Sequence, residues 1–248
     1  MTENVRQTQL NSNLDAVLAK MAQACARSGR SQDSVELVAV TKYADPLDVA
    51  LLAAGGRLGR IGESRVQDAS AKWQKPPLDA FREKLTKHFI GHLQTNKAAK
   101  AAEFFDQIDS IDSAHTAMAL DRQAGKLGKA LPVLIQLQLS GKDTQSGVAP
   151  EKAGELLSLL KDLPNLLPCG YMGIAAEGAP PQELARQFGR AKELFDRDFG
   201  PLSQSRKCQL SLGMSGDFEA AIAAGSTLVR IGSAIFAKPA TSQEVHTP

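Results

Sequence analysis

The chain has 248 residues, 43% of them hydrophobic and 23% charged, which is the composition of a globular protein able to form a core without staples. Its 29 basic and 27 acidic side chains leave a formal charge of +2 with no long basic run, so tight binding to nucleic acid is not expected. Three distant cysteines, Cys25, Cys169 and Cys208, fit neither a disulfide framework nor a zinc ribbon. The N-terminal MTENVRQTQL has no apolar signal core, and no run approaches the ~18 apolar residues of a membrane span. The expectation is a cytoplasmic protein in a reducing compartment, with no membrane contact.

Residues 5–28 read as a helix, with Leu10, Leu14, Val17, Leu18 and Met21 at helical spacing and Gly29 as its stop. Short apolar runs then alternate with helical patterns. The predicted strands are 35–41, 57–62, 88–91, 107–111, 133–139, 168–174, 208–213 and 228–232. The predicted helices are 46–54, 64–73, 95–104, 114–124, 151–161, 181–199 and 217–224. This alternation points to an α/β protein with a parallel sheet, and eight units in one chain of this length match a single-domain (β/α)8 TIM barrel over residues 1–248. A doubly wound open sheet is the alternative. The polar tail 238–248 is expected to be mobile.

Ligands of such barrels sit at the C-terminal ends of the strands. Lys42 closes the first predicted strand, VELVAVTK, and strand alternation puts it on one face with Glu36, Val38 and Val40. With the valines in the barrel interior, Lys42 projects from the upper rim. Partial desolvation there would favour its neutral amine, the form that condenses with an aldehyde. The plain alternative is a solvated strand-end lysine. In the last predicted strand Leu228, Arg230 and Gly232 share a face, so Arg230 points inward and needs a carboxylate or a ligand atom as partner. Gly232 admits close backbone approach, and Ser233 opens a short helix whose free N–H groups suit an anion. A structural Gly-Ser turn is the equal alternative. An amine for an aldehyde and a seat for a phosphate together suggest pyridoxal 5′-phosphate (PLP).

Ser215 stands just before the helix 217–224, where its hydroxyl can reach a phosphate, and Asp217 can cap that helix. The GMSG segment lacks the second glycine of a nucleophile elbow, because that place holds Asp217. His88 and His92 lack the acidic pattern of a zincin and read as strand-end hydrogen-bonding residues. His115 and His246 read as surface residues, and GKDTQSGVAP (141–150) as a mobile loop. Tyr43 would face away from Lys42 if the strand continued.

Several segments together resemble the pyridoxal phosphate homeostasis family, also called the YggS/PROSC family. They are LVAVTK (37–42), HFIGHLQTNK (88–97), SGV (146–148), GYMGI (170–174) and SLGMSGDFEAAIAAGSTLVRIGSAIF (211–236). The resemblance implies a barrel like the N-terminal domain of alanine racemase, with PLP attached to Lys42. It implies Arg230 facing the pyridine nitrogen, Ser215, Gly232 and Ser233 holding the phosphate, and Met214 beside them. Ser64 stands where the family usually has asparagine in GEN, so the contact made near the ring by that amide differs here. The resemblance also implies a non-catalytic protein that buffers the cofactor and delivers it to PLP-dependent apo-enzymes. An arginine at the ring nitrogen disfavours its protonation and weakens the ring as an electron sink. A racemase-like enzyme, the alternative, needs two opposed bases. With 18 residues following Arg230 (248 minus 230), no second domain that would supply a tyrosine is expected. An aldolase-like phosphate-ligand enzyme using Lys42 is a third reading. No coiled-coil pattern forces a dimer, so a monomer is expected.

Overall fold

The computed structural model describes residues 3–141, 145–202 and 207–238. Its sheet is a closed parallel barrel: β1 (Glu36–Val40), β2 (Arg60–Glu63), β3 (Thr86–Phe89), β4 (Gln107–Ile111), β5 (Leu131–Gln138), β6 (Leu166–Ile174), β7 (Gln209–Ser211) and β8 (Leu228–Ile231), each beside the next and β8 paired with β1. Closure overturns the open-sheet alternative: the β1–β8 ladder, which pairs Glu36 with Leu228 and Ala39 with Ile231, leaves no edge. The helices are α1 (Glu3–Arg27), α2 (Pro46–Ala54), α3 (Val66–Lys72), α4 (Ala98–Phe104), α5 (Ala114–Lys126), α6 (Ala153–Lys161), α7 (Pro181–Phe199), α8 (Phe218–Ala223) and α9 (Ser233–Phe236). The tail beyond 238 and residues 142–144 of the expected mobile loop lie outside the described residues, as does His246.

Strand alternation divides the core. Outward residues such as Ala39, Ile61, Phe89, Ile108, Val133, Ile135, Tyr171, Leu210, Val229 and Ile231 are buried under the helices. The interior is mixed. Val38, Leu134, Met172 and Leu228 supply apolar volume, while His88, Gln107, Asp109, Gln136, Gln209, Ser211 and Arg230 are buried polar groups. At the N-terminal mouth, Glu36 on β1 takes ion pairs from Arg60 at 2.5 Å and Lys207 at 2.6 Å.

α1 lies outside the repeating pattern. It buries Leu10, Leu14, Val17, Met21, Ala24 and Cys25, and it ends at Gly29, whose φ of +65° a side chain would resist. The buried guanidinium of Arg6 binds Asp48 of α2 (Nε to Oδ1 2.9 Å, Nη2 to Oδ2 2.5 Å) and donates to the carbonyls of Phe236 and Ala237 at the end of α9. One end of α1 thereby ties together the helices that follow the first and last strands.

Several predicted boundaries move for local reasons. β2 begins at Arg60 rather than 57, because Gly56 turns at φ +65° and Arg57 is drawn to Asp15 of α1. It extends to Glu63, whose buried Oε1 is contacted by Thr41, Trp73 and Lys72. β3 covers 86–89 rather than 88–91: Lys87 looks exposed in sequence, but its ammonium reaches the Arg82 carbonyl at 2.9 Å and Asp106 at 2.8 Å. β7 shortens to three residues because Gly213 turns the chain at φ +93°. There a Cβ would come within 2.7 Å of the Ala221 Cβ and 2.8 Å of the Phe218 Cα. The predicted helix 95–104 opens as a 3-10 turn (Thr95–Lys97) before α4, and that predicted for 151–161 likewise before α6.

Tyr171 points outward from β6 into α7, where its hydroxyl donates to Asp198 at 2.6 Å and its ring meets Phe199 edge-on. Burial first, and then the Asp198 contact, push its pKa well above the ordinary 10.0. A phenol whose folded pKa is raised contributes stability that is complete below pH 10 and lost as pH rises toward the folded value. Tyr171→Phe is therefore expected to flatten the alkaline fall in stability: between pH 9 and 11 its urea midpoint should drop less than that of the wild type.

Candidate functional site

The C-terminal rim brings the two ends of the chain together. Along the β1–β8 seam Val38 sits opposite Arg230 and Ala39 opposite Ile231. Gly232 follows against Val40: a Cβ on it would stand 3.0 Å from the Val40 carbonyl oxygen and 3.1 Å from its Cβ. The close approach that motivated a functional reading of this glycine is thus a feature of the seam. Lys42, two residues beyond Val40, shares the rim with Gly232 and with Ser233, the first residue of α9. On the other flank Val40 pairs with Gly62, so the same register sets Ser64 on the β2 side of Lys42. Ser215 comes from the loop after β7 and accepts a hydrogen bond from the Ala234 amide at 3.4 Å, which joins that loop to the first turn of α9. Met214 lies exposed in the same loop. All seven sequence-predicted residues, Lys42, Ser64, Met214, Ser215, Arg230, Gly232 and Ser233, therefore fall on one rim or directly beneath it.

Two expectations about this loop and strand are corrected. Asp217 does not cap α8 with its side chain; its carboxylate accepts from the Met214 amide at 2.6 Å and closes the turn instead. Lys42 is exposed rather than desolvated, because β1 ends at Val40 and the chain turns, with the Ala44 amide bonding the Thr41 carbonyl. The same turn puts Tyr43 beside Lys42, whose Nζ lies 5.1 Å from the Tyr43 ring centroid, rather than on the opposite face.

Arg230 is 3% exposed and fills the interior below the rim. The expected partner was a carboxylate or a ligand. The structure supplies neutral acceptors: Nη1 donates to the Ser211 carbonyl at 2.8 Å and its hydroxyl at 2.6 Å, and Nη2 to the Gly173 carbonyl at 2.9 Å. These bonds run from β8 across β7 to β6, which proves the inward orientation. Desolvation lowers its pKa to about 10, opposed by the charges of Asp109 and Asp217, so it remains a cation at neutral pH.

Sequence reasoning missed the polar interior around it. His88 Nδ1 lies 3.0 Å and 3.2 Å from the Asp109 carboxylate oxygens. The Gln107 amide donates to Asp109 at 2.8 Å and across the barrel to Gln209 at 2.6 Å. His92 bonds Asp112 at 3.1 Å. The hydrogen-bonding reading of both histidines holds, with acids contributed by β4 and its end. Among the described residues no group of metal-ligating side chains assembles. Alternation could have flagged Gln107, Asp109, Gln209 and Ser211 as inward, but not their mutual pairing.

A second missed network lies behind the rim. The Glu63 Oε1 atom accepts from the Thr41 hydroxyl at 2.8 Å and from the Trp73 indole at 3.1 Å, and pairs with the Lys72 ammonium at 2.7 Å. Lys72 also donates to the Thr41 carbonyl at 2.8 Å. The sign in the sequence was only an acid at the end of an apolar strand. Near it a cleft of about 200 Å³ opens beside Ser64, lined also by His92, Gln94 and Lys97. The wall between β2 and β3 is close: a Cβ on Gly91 would lie 2.1 Å from the Ser64 carbonyl oxygen. Gly91→Ala is expected to cost about 2 kcal/mol by forcing these loops apart, seen as a lower urea midpoint at unchanged denaturant slope.

Residues 12–239 match the family model described as "Alanine racemase, N-terminal domain". The pyridoxal phosphate homeostasis protein of Escherichia coli strain K12 is 39% identical over 230 residues, covering 90% of this chain and 94% of its own. That of Haemophilus influenzae is 37% identical over 227 residues, covering 90% and 93%. The chain belongs to the pyridoxal phosphate homeostasis family. PipY, the COG0325 family member of Synechococcus elongatus PCC7942, solved with PLP bound, superposes with a TM-score of 0.72 at 34% identity, covering 87% of this chain and 99% of PipY. The alanine racemase of Clostridium difficile 630 shares the fold with a TM-score of 0.69 at 13% identity, and the match covers 95% of this chain and 58% of the racemase.

Proposed function

We propose that this member of the pyridoxal phosphate homeostasis family binds PLP at the β8–β1 rim and serves as a non-catalytic reservoir that passes the cofactor to PLP-dependent apo-enzymes. The observation that carries the reading is the seam, which brings Gly232, at the start of α9, against Val40, two residues before Lys42. The residues fit the group. Lys42 offers an accessible amine to the aldehyde. Ser215, Gly232 and Ser233 offer hydroxyls and a backbone free of Cβ bulk to the phosphate, with Met214 beside them. Arg230 offers a cation from below to the ring nitrogen, and Ser64 flanks the ring where the family's usual amide is missing. Membership of the family and the PLP-bound structure of PipY support PLP as the ligand.

PLP supplies an electrophilic aldehyde and a conjugated ring. The chain's own groups are built to hold it rather than to drive proton transfer. A cation at the ring nitrogen keeps it unprotonated and a poor electron sink. Of the two tyrosines, Tyr171 is committed to Asp198 behind the barrel wall and Tyr43 sits on the same side as Lys42, so neither stands as an opposed base.

The decisive experiment is an ultraviolet–visible spectrum of the protein as purified and after addition of PLP, followed by borohydride reduction and weighing of the adduct. The expected result is a visible band and a mass increase of one reduced PLP on Lys42. A protein that stays colourless with excess PLP overturns the reading. A substrate-derived mass in place of PLP would favour the aldolase-like enzyme. Deuterium exchange at the α-carbon of amino acids, catalysed with many turnovers and lost without Lys42, would replace the reservoir with a racemase.

A further inference from the structure

We propose that the ion pair between buried Glu63 and half-buried Lys72 is a positioning device for Lys42, holding the strand end so that its amine meets the aldehyde. The proposal rests on the PLP reading and goes beyond it by naming residues that never touch the ligand.

The argument starts at Thr41, the residue before Lys42. Every polar atom of Thr41 is committed. Its amide donates to the Gly62 carbonyl at 3.0 Å. Its carbonyl accepts from the Ala44 amide at 3.0 Å and from the Lys72 ammonium at 2.8 Å. Its hydroxyl donates to Glu63 at 2.8 Å. Thr41 is fully buried, Glu63 is 3% exposed, and Trp73, which donates to the same carboxylate oxygen, is fully buried. Lys42 itself is exposed, with a flexible four-carbon stem whose Nζ lies over the Tyr43 ring. The chain thus changes from locked to free within one peptide unit.

That change has a chemical consequence. With PLP bound, Lys42 would supply the amine that condenses with the aldehyde, one water being lost as the carbon–nitrogen double bond forms. The equilibrium of this condensation depends on how closely the amine is held to the bound aldehyde, because a fixed Cα limits what must be ordered on reaction. Glu63 and Lys72 both hold Thr41, at two different atoms. The carboxylate takes the hydroxyl, the ammonium takes the carbonyl, and the ion pair between them at 2.7 Å fixes their spacing. The carboxylate sits on the outward face of β2 under α3, away from the cofactor rim, so its effect on ligand passes through Thr41.

The test compares PLP with pyridoxine 5′-phosphate, which has an alcohol in place of the aldehyde and cannot condense with an amine. In the full-length wild type PLP should bind far more tightly than pyridoxine phosphate. Glu63→Gln should weaken PLP by roughly tenfold, the size of one charge-assisted hydrogen bond lost from the linkage, and leave pyridoxine phosphate within twofold. Lys72→Met, which keeps the Thr41 and Trp73 bonds to Glu63, should do the same if Glu63→Gln does not fold. Lys72→Arg should recover most of the loss. Equal weakening of both ligands would show a merely structural role and overturn the proposal, as would no change in either. A wild type that binds the two ligands equally would instead overturn attachment at Lys42.

Discussion

Lys42→Ala is expected to abolish the visible band that PLP gives the wild-type protein while leaving the fold intact. The side chain is exposed, and among the described residues it makes no ion pair, with its Nζ lying over the exposed Tyr43 ring, so truncation should change stability by no more than about 0.5 kcal/mol. Every other group assigned to the ligand stays in place. The loss therefore isolates the covalent link. A dialysable, phosphate-dependent association should survive on Ser215, Gly232 and Ser233, weaker by about 3 kcal/mol, on the order of a hundredfold. Equilibrium dialysis with PLP and with pyridoxine phosphate checks this: the two ligands should become nearly equal in the variant. A Lys42→Ala protein that keeps its colour would move the attachment to another lysine.

Arg230→Met is expected to strike the fold as well as the ligand. Its guanidinium is the bridge that crosses from β8 over β7 to β6, bonding two Ser211 oxygens and the Gly173 carbonyl. Methionine fills part of the volume but leaves those acceptors without donors and removes the cation that faces Asp109 in the interior. A loss of about 3 kcal/mol follows from breaking a buried charged network by removing one partner. For a chain of this size that corresponds to a fall in Tm of about 6–12 °C. Arg230→Lys should lose less stability, since it keeps the charge, but one ammonium cannot span Ser211 and Gly173 in the fork geometry of arginine. Any PLP bound by Arg230→Lys should therefore show an altered absorbance maximum, while a variant with wild-type Tm and spectrum would remove Arg230 from both roles.

The rim shows how far local pattern carries. Val38 and Val40 alternate with Ala39 and Thr41, so the inward face of β1 was legible in the sequence. The same reading erred about the burial of Lys42, because desolvation depends on where the strand stops, and that is decided by a turn bond between Ala44 and Thr41. Arg230 was legible as an inward cation in need of partners. That the partners are a serine and a glycine carbonyl on two other strands was not, since nothing near Arg230 in sequence names Gly173. Asp217 was in the right place with the wrong acceptor role, because the tight turn at Gly213 brings the Met214 amide within its reach.

By itself the sequence determined the eight-fold alternation, the inward stripe of each strand and the chemistry of the residues at the first and last strand ends, because hydrophobic period and residue type are local properties. Only the tertiary structure decided that those ends share a seam, that α1 fastens them through Arg6, and that Glu63, Lys72 and Trp73 brace the residue before Lys42. Barrel closure is the physical reason: it brings together strands nearly two hundred residues apart in sequence, and the register that aligns them is set by the twist and packing of the whole sheet.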